Sequence, residues 1–491
     1  MRKSGILMPV SSLPSKYGIG CFSKEAYEFV DFLQSAGQKI WQILPLCPTG
    51  YGDSPYQSAS VFAGNPYFID LEALIEEGIL TQKECDKADL GTNSTEIDYE
   101  KLYKNRLPLL KKAFQNAVPE KNQDFKEFCE AQAHWLNEYA LYMAVKDEND
   151  GKSFLEWPDA LRFREKKAIQ AAEKRLEKEI LFYCFLQYLF FKQWTALKGY
   201  ANAKGIEIVG DIPIYVALDS ADTWMHPELF QLDEKGFPVG VAGCPPDYFS
   251  RTGQLWGNPL YDWEYHQKTS FAWWMQRLGH CYMLYDIVRI DHFRGFDEYY
   301  FIPFGDPTAE FGHWEKGPGY ALFETFRKTF GKKPVIAEDL GMLTKTVKKL
   351  IKKTGYPGMK ILEFAFDSDE ENDYLPHNFD SNCVVYTGTH DNDTVLGWYQ
   401  SAKSADKKNI REYLGIKNAA NIHWDLIRLA QQSVADTAII PMQDCLGLGT
   451  EGRINLPSTL GINWKWRMQS GVCTPELAAK LYKMAKIYGR V

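Results

Sequence analysis

Eight short runs of apolar, largely β-branched residues recur from one end of the chain to the other, with helix-like stretches between most of them. They are residues 5–9 (GILMP), 39–46 (KIWQILPL), 207–215 (EIVGDIPIY), 286–291 (DIVRID), 334–339 (PVIAED), 359–366 (MKILEFAF), 383–387 (CVVYT) and 438–442 (AIIPM). Several are nearly continuous in Ile, Val and Leu, the pattern of parallel strands buried on both faces. Eight such strands alternating with helices predict an α/β fold, a (β/α)8 TIM barrel, over an open doubly wound sheet. No glycine-rich G-x-G-x-x-G or Walker-type loop opens a helix, which weakens a nucleotide-binding reading.

Two connections exceed the usual βα loop of roughly 2–6 residues. The first, residues 47–206, is expected to be an insertion containing a helical subdomain, since 99–199 carries helical spacing of charge and aromatics. The second, residues 216–285, is expected to hold a hairpin over 230–242 that turns at 234–236. It continues into 244–261 (CPPDYFSRTGQLWGNPLY), whose Pro, Gly and aromatic content predicts a shaped active-site loop. After the eighth run only one or two helices are expected, including 475–487, so a single catalytic barrel over 1–491 without a C-terminal β domain is predicted.

Three of the runs end in a carboxylate: YDIVRIDHF (285–293), VIAEDLG (335–341) and VVYTGTHDNDT (384–394). A charge in a buried strand is expensive and is paired, protonated or used. In a barrel the strand C-termini share one face, so Asp291, Glu338, Asp391 and Asp211 converge there. Cleavage of a glycosidic bond needs such a group of acids, one ionised and one protonated. Arg289 shares a strand face with Asp291 and favours its anionic form, although a purely structural ion pair is equally consistent. Glu338 follows an apolar run that favours its protonated form; the plainer alternative is a helix cap. Asp391, with His390 beside it, suits stabilisation of positive charge, against an Asx-rich turn or a metal site that includes Asp393. Trp256 in QLWGN is a candidate sugar platform, against simple core packing. Residues 50–58 (GYGDSPYQS) offer Tyr51, Ser54 and Tyr56.

Net charge is −8, which argues against a nucleic-acid or anionic-membrane partner. The ten cysteines are scattered, without a C-x-x-C pair, as for free thiols in a reducing compartment. The N-terminal apolar run is broken by Pro9, no window reaches transmembrane length, and the protein reads as cytoplasmic.

Seven segments together resemble the 4-α-glucanotransferases, also called amylomaltases or disproportionating enzymes, within the amylase-like barrels. They are 50–65, 210–215 (GDIPIY), 244–261, 288–295 (VRIDHFRG), 336–341, 388–394 (GTHDNDT) and 453–467 (RINLPSTLGINWKWR), in order across nearly the whole chain. The resemblance implies a retaining double displacement without cofactor or metal, moving α-1,4-glucan segments from a donor to a sugar acceptor such as glucose, maltodextrin, starch or glycogen. It implies Asp291 as nucleophile, Glu338 as general acid/base and Asp391 as transition-state stabiliser. Arg289 and His390 match residues around the sugar at the cleavage point; Ser54, Tyr56, Asp211, Gln254, Trp256 and His292 match segments lining the substrate groove. Ser458 departs from the family pattern, where glycine is expected. A retaining α-1,4-glucan hydrolase and a non-catalytic glucan-binding protein are the competing readings.

Overall fold

The computed structural model describes residues 2–50, 52–246, 250–341 and 343–491. Its strands are, in chain order, β1 (Lys3–Leu7), β2 (Ile40–Gln42), β3 (Glu207–Ile212), β4 (Gly240–Cys244), β5 (Gln254–Pro259), β6 (Ile287–Ile290), β7 (Glu298–Pro303), β8 (His313–Lys316), β9 (Val335–Ala337), β10 (Gly358–Ile361), β11 (Cys383–Tyr386) and β12 (Thr437–Pro441). Eight of them form one all-parallel sheet in the order β10-β11-β12-β1-β2-β3-β6-β9. At the seam between β9 and β10, Ala337 N–H donates to the Pro357 carbonyl at 3.0 Å, so the ladder comes round on itself. The predicted barrel is therefore present, and every predicted run supplies one of its strands. The runs outlast the strands because the apolar pattern continues into the strand-end turns, where the acids sit.

Helices Lys24–Ser35, Glu177–Ala203, Ala272–Leu284, Tyr320–Phe330, Lys345–Thr354 and Ile422–Gln432 flank the barrel. Glu177–Ala203 is buried all round its middle, from Phe182 to Phe190 without interruption. A helix apolar on every face must have neighbours on every face, and this one packs on the barrel and on helices Tyr99–Ala117, Gln123–Ala131 and Ala133–Glu148. Its polar exception is functional: the buried Gln187 amide accepts from Gly64 N–H at 2.7 Å and donates to the Gly64 carbonyl at 2.9 Å. Gly64 lies flat on the Phe190 ring, where a Cβ would approach to 2.2 Å. The long helix thereby pins the far end of the loop that carries Tyr56.

The second connection differs from expectation. A turn does close at 233–237, with Asp233 N–H on the Phe237 carbonyl at 2.7 Å and Val239 N–H on the Gln231 carbonyl at 2.9 Å, but its flanks share one isolated bridge, Leu232–Pro238, and form no extended ladder. The extended pairing comes later. Strands β5-β4-β7-β8 make a four-stranded antiparallel sheet, so the stretch Gln254–Pro259 of the segment expected to be a loop is strand β5. Gly257 and Pro259 masked its strand character, and its partner β4 pairs in turn with β7, which lies beyond β6. One face of this sheet joins the main core through Ala242 and Tyr299; the other encloses a small cluster of Val241, Tyr300, Ile302 and Ala309. Residues 247–249 lie outside the described residues, as does Tyr51.

Ser458 adopts φ +64°, in the left-handed region. This explains why glycine suits the position: an L side chain there costs roughly 1–2 kcal/mol. Ser458 is exposed, so Ser458→Gly is expected to leave folding intact and to raise the unfolding midpoint slightly, measured by thermal denaturation. A lower midpoint would contradict the strain argument.

Candidate active site

The strand ends bring the acids to one face through the ladder itself. Asp291 N–H donates to Ile212 O at 2.9 Å and Glu338 N–H to Ile290 O at 3.0 Å, each extending its strand by one bond. The two carboxyl groups are then tied together: the His292 N–H, next after Asp291, donates to Glu338 Oε2 at 2.7 Å, and Leu340 N–H donates to Oε1 at 2.8 Å. Both amides come from the turn that follows a strand, so the position of Glu338 is fixed by backbone.

Arg289 and Asp211 are directly opposed on β6 and β3. Arg289 Nη1 lies 2.6 Å from both Asp211 oxygens, and Nη2 lies 3.1 Å from Asp291 Oδ1. Asp211 and Arg289 are almost fully enclosed, whereas the Asp291 side chain keeps 30% of its surface open to the cleft. Tyr56 Oη sits 2.8 Å from Asp211 Oδ2 and 2.8 Å from His390 Nε2. Asp211 as a carboxylate only accepts, so Tyr56 donates to it and accepts from His390. His390 Nε2 also lies 3.3 Å from Asp391 Oδ2. Asp211, Arg289, Asp291, Glu338, Tyr56, His390 and Asp391 thus form one connected constellation.

The charges follow from these contacts. Burial, reinforced by the neighbouring Asp291, pushes the Glu338 carboxyl up to about 7. Burial also pushes Asp291 up, to about 6, against the attraction of Arg289. Arg289 therefore does not hold Asp291 in the ordinary carboxylate range, as its same-face position suggests; its two closest contacts go to Asp211. Asp291 still loses its proton before Glu338, because only Asp291 touches the guanidinium. Enclosure raises Asp391, but His390 and a hydrogen bond from Asn455 overcome it and hold this carboxyl well below the usual range. Burial lowers His390, yet Asp391 leaves it raised overall.

The remaining candidates separate into two sets. Trp256 stands edge-on to His292, ring centres 4.8 Å apart, and its Nε1–H donates to Gln254 Oε1 at 3.1 Å. His292 has φ +50°, and its buried Nε2 has no protein partner. Burial lowers its pKa to about 3, so the ring is neutral and can meet an uncharged hydroxyl. Ser54 is not brought to the acids: its Oγ accepts from Tyr56 N–H at 3.2 Å and shapes the turn. Asp393 also faces elsewhere, accepting from Thr394 N–H at 2.8 Å and Thr450 Oγ1 at 2.9 Å. Among the described residues no group of three or more His, Cys, Asp or Glu side chains could hold a metal ion.

Sequence reasoning assigned nothing to Arg453, Asn455 or Trp464, which all reach this site. Asn455 Nδ2 donates to Asp391 Oδ1 at 2.6 Å, and Arg453 Nη2 donates to the Asp391 carbonyl at 2.9 Å. The Trp464 ring lies 5.9 Å from Tyr56 and 6.1 Å from His390. None of the three ends an apolar run; the one signal available was the polar alternation RIN ahead of a proline.

Known proteins resemble this chain in sequence and in fold. The sequence model of the family described as 4-alpha-glucanotransferase (Glyco_hydro_77) matches residues 8–474. The 4-alpha-glucanotransferase of Clostridium butyricum is 49% identical over 98% of this chain and all of that protein. That of Thermus thermophilus is 48% identical over all of this chain and 99% of its own length. The solved structure of amylomaltase from Streptococcus agalactiae in complex with acarbose is 41% identical and superposes with a TM-score of 0.97 over the whole of both chains.

Proposed function

This chain belongs to the 4-alpha-glucanotransferase family, and on that premise we propose that Asp291, Glu338 and Asp391 carry its chemistry. The protein is a 4-alpha-glucanotransferase, an enzyme that moves segments of α-1,4-glucan from a donor chain to a sugar acceptor, and in our reading it does so by retaining double displacement. In our assignment Asp291 attacks the anomeric carbon as its carboxylate while Glu338 protonates the departing oxygen. Water-free exchange follows: Glu338, now anionic, takes the proton of the acceptor hydroxyl as that oxygen displaces Asp291. Asp391 remains ionised throughout and faces the positive charge that develops at the sugar ring. The observation that carries this assignment is that, of two adjacent carboxyls, Asp291 meets the Arg289 guanidinium while Glu338 is held by backbone N–H groups.

The pH dependence follows with a definite sign. Activity falls at low pH as Asp291 gains a proton and at high pH as Glu338 loses one. The two carboxyls sit at about 6 and about 7, so kcat/KM is expected to trace a narrow bell with its maximum between those values. A profile flat from pH 5 to pH 8 would remove the pair from these roles.

We read Arg289 and His390 as lying around the sugar at the cleavage point and Tyr56, Trp256, Gln254 and His292 as lining the groove, with the enclosed Asp211 acting through Arg289 and Tyr56. Ser54 acts through the turn that places Tyr56. The segment from Cys244 to Tyr261 acts as the cover that keeps water from the covalent intermediate, since transfer requires an acceptor to arrive before water does. Purified protein mixed with maltotriose tests the whole reading. Transfer gives a ladder of longer and shorter oligomers; only shrinking products would mean hydrolysis, and no change would mean binding alone.

We place the enzyme in the cytoplasm: all ten cysteines are free thiols, several in the core, as in a reducing compartment. No helix among the described residues is long and apolar enough to cross a membrane. We further read residues 47–206 and 216–285 as insertions in one catalytic barrel, serving as the backing and the rim of the site.

A further inference from the structure

The turn that carries Asp391 is not held by its own strand alone. Asp391 lies beyond the end of β11, five residues past Tyr386, on a polar segment that would otherwise have the freedom of a loop. The chain from Arg453 to Asn455 grips that segment in both directions. Asn455 N–H donates to the His390 carbonyl at 3.1 Å, and Arg453 Nη2 donates to the Asp391 carbonyl at 2.9 Å. Asn455 Nδ2 then takes Asp391 Oδ1 at 2.6 Å, leaving Oδ2 on the side of His390. Arg453 also locks its own segment, its Nε–H donating to the Asn455 carbonyl at 2.8 Å. Three of these four bonds fall on the peptide or carboxylate of the turn that carries Asp391.

We propose that Arg453 and Asn455 are positioning residues of the transfer reaction: together they fix the backbone and the carboxylate orientation of Asp391, so that one oxygen is presented to the reacting sugar. This rests on the assignment of Asp391 as stabiliser. The division of labour is specific. Arg453 sets where the turn lies, through two carbonyl oxygens. Asn455 sets which way the carboxylate faces and withdraws one oxygen from competition for the substrate. A stabiliser acts by charge placed in advance, so a small misplacement lowers the rate of the chemical step with little effect on ground-state binding.

The test uses the full-length enzyme with maltotriose. Asn455→Ala removes the carboxylate arm; Arg453→Gln removes the backbone arm; Arg453→Lys keeps the charge but not the forked reach; Asp391→Asn serves as reference. Positioning predicts that kcat falls about 10–100-fold in Asn455→Ala and Arg453→Gln, with KM within about twofold and the unfolding midpoint unchanged. Arg453→Lys recovers part of the loss. The split between kcat and KM and the partial rescue by Arg453→Lys are the readouts that a merely structural role would not move. Near-normal kcat in both variants, with Asp391→Asn inactive, would overturn the positioning roles and leave the assignment of Asp391 standing. Normal activity in Asp391→Asn would instead remove the assignment itself. Should Arg453→Gln fold poorly, Asn455→Ala, which deletes one amide from a partly exposed residue, still decides.

Discussion

Asp291→Asn is expected to lose at least about 10³-fold in kcat while still binding maltodextrin, and Glu338→Gln to lose as much by a different route. Without the Asp291 carboxylate no covalent glucosyl-enzyme forms from any donor. Without the Glu338 proton, a glucan donor cannot release its chain, but a donor whose leaving group needs no protonation still reacts. A maltosyl fluoride therefore separates the two. Glu338→Gln should accumulate a protein adduct one glycosyl unit heavier, because the base that would activate the acceptor is also missing; Asp291→Asn should accumulate none. Mass spectrometry of the intact protein and of its peptides reads both outcomes. An adduct on a residue other than Asp291, or turnover by Asp291→Asn, would end the proposed assignment.

The second large effect concerns the pair beneath the nucleophile. Asp211 and Arg289 are enclosed by the barrel wall and meet at 2.6 Å, with Tyr56 completing the shell around Asp211. Removing one member of a buried ion pair strands the other, at a cost of roughly 3–5 kcal/mol. Asp211→Ala is accordingly expected to lower the unfolding midpoint by roughly 3–5 °C. Asp211→Asn keeps the shape and a hydrogen bond, so its loss of stability should be smaller. Its effect on titration is the more telling one. The charge of Asp211 raises the proton affinity of Asp291, second among the opposing influences to burial itself. Neutralising it frees Arg289 to act on Asp291 alone, and the acid limb of kcat/KM should move to lower pH. A shift to higher pH would show that Arg289 needs Asp211 to face the nucleophile at all.

The barrel and its three acids were legible in the sequence for one reason. Parallel strands buried on both faces leave unbroken apolar runs, against which a terminal carboxylate is conspicuous. What the runs do not carry is who faces whom. Arg289 and Asp291 are neighbours in sequence, so their pairing was visible; Asp211 sits on another strand, and only the β3–β6 register shows that it takes the better share of the guanidinium. Strand β5 was read as loop because its pairing with β4 belongs to a sheet built across β6, with glycine and proline hiding its alternation. Arg453 and Asn455 lay within a segment whose resemblance to the family was recognised, but a motif names a stretch and not the atom that each side chain reaches. Ser458 shows the converse: the family pattern flagged the position, and its backbone angle supplies the physical reason.

The four-stranded sheet that presents Trp256 is two-faced, and the consequence reaches beyond one catalytic cycle. Its inner face shares the barrel core, while its outer face closes over a small cluster that includes Val241, Tyr300, Ile302 and Ala309. Mutations on that outer face are felt by four side chains and their neighbours, not by the whole interior. Substitutions on such a rim are expected to be tolerated more readily than substitutions on the strands that fix the acids, which stay under the tighter constraint of a common core.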